Sequence, residues 1–334
     1  MEVRKRFEND KLKKLQIFNG AQLKYIAFIS MLIDHVNNAL ITPFLENGQV
    51  DSASLSRLTE HVVSGGCDFV VLLGTTGESP TVVYPERLLL IDVVRRAIDG
   101  RCPLVIGVGS NNTQDLCQRM SDPIYDNVDA ILSVVPYYNK PTQEGLYLHF
   151  MAVAEASKKP IILYNIPSRT GCDLQPETVA RLQRDSAKII GIKEASGHVE
   201  RIGQIRELCR PDLLVYSGDD HLTKDIIRAG GDGVVSVVAN AYPQAIKALV
   251  SALITEQREQ ADAIDALFTE MYQLLFKEGN PVGIKGLLHT IHLIETRAVR
   301  LPLCHATEQL TTRLRTVHEE LLVPMQQLGI EPRL

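Results

Sequence analysis

Lys188-Ile189-Ile190-Gly191-Ile192-Lys193-Glu194 is an apolar, isoleucine-rich run that closes on a pair of charged residues. Its isoleucines do not alternate with polar residues, so the run predicts a strand covered on both faces, as in a parallel sheet. Runs of the same character recur at 37–42, 68–73, 103–108, 129–134, 160–165, 213–217 and 233–238. Amphipathic segments lie between them, among them 54–64, 85–98 and 144–157. A repeat of about 25–30 residues is what a strand plus its crossover helix requires. Eight such units in a row favour an α/β fold closed as a (β/α)₈ TIM barrel. A doubly wound sheet would carry a glycine-rich phosphate loop after its first strand. Here the first run ends in Thr42-Pro43-Phe44, without that pattern.

After the eighth unit the pattern changes. Leu267, Met271, Leu274 and Leu275 keep helical spacing, as do Leu310, Leu314 and Leu321, with Pro281, Pro302 and Pro324 as punctuation. The expected organisation is an N-terminal extension at 1–34 outside the barrel, a catalytic barrel at 35–255 and a small C-terminal helical domain at 256–334. A segment of that last kind more often completes packing or oligomer contacts than carries chemistry. The extension is basic through Arg4, Lys5, Arg6, Lys11, Lys13, Lys14 and Lys24. It also holds Glu2, Glu8 and Asp10 and has no small-residue cleavage site, which makes it a poor signal or transit peptide. Met31 is the more natural start, and an amphipathic partner-binding helix is the alternative reading of this stretch.

Composition narrows the class of function. Hydrophobic residues make up 45% and charged residues 22% of the 334, as in an ordinary soluble globular protein, and the net charge of −5 points away from nucleic acid and anionic membranes as partners. No apolar run is long enough to span a bilayer. Cys67, Cys102, Cys117, Cys172, Cys209 and Cys304 are scattered with no C-x-x-C pair, which fits reduced thiols in a cytoplasmic protein. The histidines lack metal-ligand spacing; His221 after Asp219-Asp220 is the nearest approach, and the expectation is no catalytic metal.

In a (β/α)₈ barrel the chemistry sits at the C-terminal ends of the strands. Lys193 closes the sixth run, where an apolar interior would desolvate its amine, lower its pKa and expose a neutral nucleophile able to form an imine with a ketone. On position alone, an ion-paired or snorkelling lysine is the alternative, with Glu194 the obvious partner, although neighbouring strand residues face opposite ways. Gly74-Thr75-Thr76-Gly77-Glu78-Ser79 follows the second run and offers hydroxyls and a glycine-rich backbone for a small carboxylate; a plain polar turn is the alternative. After the fifth run, Tyr164 can act as a general acid–base and Arg169 can clamp a carboxylate; a core tyrosine and a solvated arginine are the alternatives. After the fourth, Pro136-Tyr137-Tyr138-Asn139 can be interface or core.

Taken together, GTTGES (74–79), PYYNKPTQEGLY (136–147), YNIPSRTGCDL (164–174), IIGIKEA (189–195), SGDD (217–220) and GVVSVVAN (233–240) resemble the dihydrodipicolinate synthase family, in its order and near its spacing. The resemblance runs from about residue 37 to the C-terminus. It implies a pyruvate-dependent lyase of the diaminopimelate route to lysine, needing no cofactor beyond a covalent imine between Lys193 and pyruvate. Thr76 and Tyr164 would join a proton relay completed by Tyr138 from a neighbouring subunit. Thr75 would help hold the pyruvate carboxylate, Arg169 would bind the carboxylate of L-aspartate 4-semialdehyde, and backbone around Gly218 and Val235 would line the pocket. It further implies a homotetramer built as a dimer of dimers.

The chain also departs from the family pattern. Members inhibited by lysine carry histidines in the helix after GTTGES, where Tyr84 and Arg87 stand here. Ser79, Asn111, Asp115 and Tyr137 match that effector site only in part, so strong lysine feedback is not expected. Two rival functions remain at this point. An N-acetylneuraminate lyase or a keto-deoxy sugar acid aldolase would share Lys193 and Tyr164, against which Arg169 argues. A non-catalytic scaffold would have no need of the matched set Thr76, Tyr138, Tyr164 and Lys193.

Overall fold

The computed structural model describes residues 35–331, so the extension at 1–34 lies outside the described residues. Strands β1 (His35–Ala39), β2 (Phe69–Leu72), β3 (Leu104–Gly107), β4 (Ala130–Val134), β5 (Ile161–Asn165), β6 (Ile189–Glu194), β7 (Leu214–Ser217) and β8 (Gly233–Ser236) form a closed parallel barrel in sequential order, with β8 returning to β1. The eight-stranded barrel read from the sequence is the observed fold.

The crossover helices are α1 (Ser52–Ser64), α2 (Tyr84–Ile98), α3 (Thr113–Met120), α4 (Gln143–Ala156), a single turn α5 (Pro167–Thr170), α6 (Pro176–Asp185), α7 (Glu200–Leu208), α8 (Thr223–Arg228) and α9 (Pro243–Ile254). Side chains at their N-termini satisfy otherwise orphaned backbone donors: Asp51 accepts from Ser54 N, Asn112 from Asp115 N and Thr142 from Gly145 N. Prolines in the first turn of α2, α5, α6 and α9 cost no hydrogen bond at that position. Outward-facing strand residues such as Val36, Val70, Ile106, Leu163, Ile192, Val215 and Val234 join the helices in a continuous apolar core. Inside the barrel, Phe69 and Tyr216 meet edge to face with ring centroids 5.5 Å apart.

At the C-terminal ends of the strands, the two largest differences from the sequence reading each have a local reason. The first strand was expected at 37–42, but beyond β1 only the Leu40 amide still reaches the next strand, at the Val71 carbonyl, and the Ile41 amide donates instead to Asn240 Oδ1 at 3.3 Å. The last was expected at 233–238. It stops at Ser236 because the Val237 and Val238 amides donate to the buried Asp220 carboxylate, at 2.9 and 3.2 Å. Neither donor is then available to a neighbouring strand.

Helices α10 (Arg258–Leu267), α11 (Thr269–Lys277), α12 (Val282–Thr290) and α13 (Glu308–Gln327) follow within the same compact unit as the barrel. Leu310, Leu314 and Leu321 are buried on one face of α13, as their spacing predicts. Among the described residues, no helix is long and apolar enough to cross a membrane.

Candidate active site

The register of the sheet decides what faces Lys193. Tyr164 on β5 pairs with Lys193 on β6, and Lys193 pairs with Tyr216 on β7, so the three lie side by side in one layer. Lys193 is 6% exposed and its Nζ stands 4.4 Å from the centre of the Tyr164 ring. The face of that ring favours a cation, and its hydroxyl is an acid–base group beside the amine. Glu194 does not neutralise the lysine. It turns to the other face of the strand, accepts from Asn165 Nδ2 at 3.2 Å and from Ser196 N at 2.8 Å, and burial pushes its carboxyl up. The alternation of side chains along a strand thus removes the suspected ion pair.

Below Lys193 the chain must pass close. A β-carbon at Gly218 would stand 2.6 Å from Ala195 Cβ and 3.1 Å from Lys193 Cε, so only glycine lets the lysine stem lie against β7. Val235, on β8, is buried beside this layer. Two carboxylates follow Gly218. Asp220 is fully enclosed and accepts from Ser236 Oγ, Val237 N and Val238 N. Burial raises its pKa, while those donors and the charge of Lys193 oppose the rise. Burial also raises Asp219, opposed by the positive charges of His221, Lys193 and Arg169. Arg169 itself is exposed, one helical turn beyond β5 on α5.

The loop after β2 holds the two threonines. Leu73 and Glu78 both take left-handed backbone angles, φ 56° and 50°, and bend the segment back over the barrel mouth. Thr75 is half-buried, whereas Thr76 is 3% exposed and its Oγ1 accepts from Asn280 Nδ2 at 2.9 Å. Glu78 is buried in an ion pair with Lys285 of α12, whose Nζ also donates to the Ala298 carbonyl at 2.8 Å and lies 4.2 Å from the centre of the Phe44 ring. Burial lowers the Lys285 pKa to about 8 against the pull of Glu78. The Arg300 amide donates to the other Glu78 oxygen at 3.0 Å, and its guanidinium pairs with Glu86.

Sequence reasoning missed Asn280, Lys285 and Asp220 as parts of the site. The C-terminal segment was expected to serve packing or oligomer contacts, yet residues 280–300 hold the threonine loop. One signal was legible. A lysine inside the apolar run Gly283-Ile284-Lys285-Gly286-Leu287-Leu288 must find a partner to be buried. Nothing local marks Asn280 as the partner of a threonine 204 residues away.

The loop after β4 is placed differently. Tyr138 takes φ 75° and is 88% exposed, and Tyr137 is 42% exposed. Within one chain Tyr138 therefore does not join the buried Tyr164–Lys193 pair. The partial effector set is spread over the segments after β2, β3 and β4, with Asp115 in the first turn of α3. Ser79 receives Arg87 Nη2 on its carbonyl at 2.8 Å, Asp115 pairs with Arg119, and the Asn111 carbonyl accepts from Asn139 Nδ2 at 2.9 Å.

The chain is similar to several known proteins of one activity name. The chain is 46% identical to a 4-hydroxy-tetrahydrodipicolinate synthase of Porphyromonas gingivalis over 85% of its own length and 95% of the relative's. A synthase of the same name from Flavobacterium psychrophilum is 42% identical, over 83% of this chain and 94% of that one. Among solved structures, the 4-hydroxy-tetrahydrodipicolinate synthase of Methylacidiphilum fumariolicum superposes with a TM-score of 0.84 at 37% identity, covering 88% of this chain and 98% of that one. The model of the dihydrodipicolinate synthetase family matches residues 33–321, the whole barrel and most of the helices after it. The protein belongs to the dihydrodipicolinate synthetase family.

Proposed function

We propose that the protein is a 4-hydroxy-tetrahydrodipicolinate synthase, a lyase that condenses pyruvate with L-aspartate 4-semialdehyde. The observation that carries this is Lys193: a buried amine without a salt bridge among the described residues, set against the Tyr164 ring at the mouth of the barrel. The amine attacks the pyruvate keto carbon and water leaves, forming the imine. Loss of a methyl proton gives the enamine, which adds to the aldehyde carbon. The substrate's own amino group then displaces Lys193 by attacking the imine carbon, closing the ring and freeing the enzyme. The protonated imine is itself the electron sink, so this sequence calls on no metal or organic cofactor.

Tyr164 and Thr76 serve the proton transfers with Tyr138, which a neighbouring subunit supplies; its outward position in the isolated chain supports that reading. Thr75 holds the pyruvate carboxylate and Arg169 that of the aldehyde, with Gly218 and Val235 lining the pocket. The working assembly is a homotetramer of two dimers, and the compartment is the cytoplasm. A charged clamp at Arg169 suits a short carboxylated aldehyde better than a sugar, which sets the reading apart from the sugar-acid lyases.

A coupled assay with both substrates, run beside K193A, tests the proposal. Turnover in the wild type that vanishes in K193A is expected, together with a borohydride-stable pyruvate adduct on Lys193. An adduct without condensation would keep the imine and sink the assignment of the aldehyde. No adduct at all would remove the imine itself and leave a scaffold role.

A further inference from the structure

We infer that Asn280 is a positioning residue for the reaction, fixing the Thr76 hydroxyl so that its proton is directed at the substrate; this rests on the reading of residues 74–79 as part of the pyruvate site. A threonine hydroxyl has one proton to give and two lone pairs to receive with. Asn280 Nδ2 donates to Thr76 Oγ1 at 2.9 Å and so occupies one lone pair. The hydroxyl cannot spend its proton on that bond and keeps it for another acceptor. Thr76 is 3% and Asn280 8% exposed, so bulk water does not compete for either group.

Two further observations separate this from ordinary packing. The Asn280 Oδ1 is buried with no protein partner among the described residues. A buried carbonyl left unpaired costs stability, and an amide chosen only for packing would not be expected to carry that cost. The backbone that bears Asn280 is also tied down. It immediately precedes α12, the Lys285 amide donates to the Pro281 carbonyl at 3.0 Å, and the Lys285 side chain is paired with Glu78. Asn280 and Lys285 thus reach one loop at positions two residues apart, one gripping the Thr76 hydroxyl and the other the Glu78 carboxylate. The amide is set on a rigid mount, as a positioning group requires.

A double-mutant cycle on N280A and T76V tests the inference, read as kcat/KM for pyruvate and, without any aldehyde, as the rate of borohydride trapping of pyruvate on Lys193. N280A should lower both about tenfold, the scale of one buried neutral hydrogen bond, and cost less than about twofold further in a T76V background. N280D is isosteric and covers the case in which N280A folds poorly. Its carboxylate would accept the Thr76 proton and turn it away from the substrate, so the same loss is expected. Losses that multiply in N280A/T76V, or an N280D enzyme as fast as the wild type, would overturn the inference. The trapping rate needs only pyruvate. A wild type that traps pyruvate but rejects the semialdehyde would therefore fail the proposed function while leaving this test intact.

Discussion

The loops after β2 and β4 stand on the same rim of the barrel and carry residues assigned to the same proton transfers, yet they are finished in opposite ways. The first is closed by its own chain. Asn280, Lys285 and Arg300 bond to Thr76 and Glu78, and Glu78 has almost no exposed surface. The second is left open, with Tyr138 in a left-handed conformation and 88% exposed. A non-glycine residue held at positive φ with its ring in solvent is costly for an isolated chain. The difference teaches that distant parts of the same chain order the first loop, whereas the second keeps its Tyr138 ring in solvent, as the proposed neighbouring subunit would need.

Breaking the closed loop should have the largest effect. K285M leaves Glu78 as a buried charge without its counter-ion, a change worth about 3–5 kcal/mol, and calorimetry should show a melting temperature lower by on the order of 10 °C. Removing both charges in K285M/E78Q should recover more than half of that. A K285M protein melting within about 2 °C of the wild type would mean that the clamp does not hold the loop.

The open loop should respond in rate and not in stability. Y138F, lacking a positioned proton-transfer group, should lose about a hundredfold in kcat with an unchanged melting temperature. Specific activity should also fall on dilution as subunits separate, which sedimentation at the same concentrations would follow. Full activity from a species shown to be monomeric would erase the contrast between the loops.

Within the closed loop the two threonines can be told apart. T76V should lower kcat about tenfold with little change in KM, and T75V should raise the KM for pyruvate by a similar factor, as expected for one hydrogen bond each. The reverse pattern would exchange their assignments.

The smallest effect concerns L-lysine. Arg87 sits on Ser79, with its guanidinium donating to the Ser79 and Val82 carbonyls, where histidines would stand in a lysine-inhibited relative. A titration into the millimolar range should change the rate by less than about twofold. Micromolar inhibition would show that Ser79, Asn111, Asp115 and Tyr137 assemble a working effector site across the open loop after all.

Much of the site was legible because it lies where strands end. Lys193, Tyr164 and Gly218 sit at the close of apolar runs, and in a parallel barrel that position alone brings them to one rim. Strand ends were less legible, because Asp220 takes two backbone donors from the residues after β8 and no periodicity announces such a competitor. Of the C-terminal grip on the threonine loop only the buried Lys285 left a signal, and its partner was not legible, since the paired residues are some 200 residues apart in sequence.

What the sequence determined by itself was the number and kind of strands and the burial of Lys193 at a strand end. These follow from local hydrophobic patterning, which each βα unit expresses independently. What only the tertiary structure decided was which groups are paired and which are free. Glu194 turns away from Lys193, Thr76 is pinned by Asn280, Glu78 is neutralised by Lys285, and Tyr138 is left outside. Hydrogen bonds and ion pairs depend on distances of a few ångströms between residues far apart in the chain, and only packing of the whole fold sets those distances.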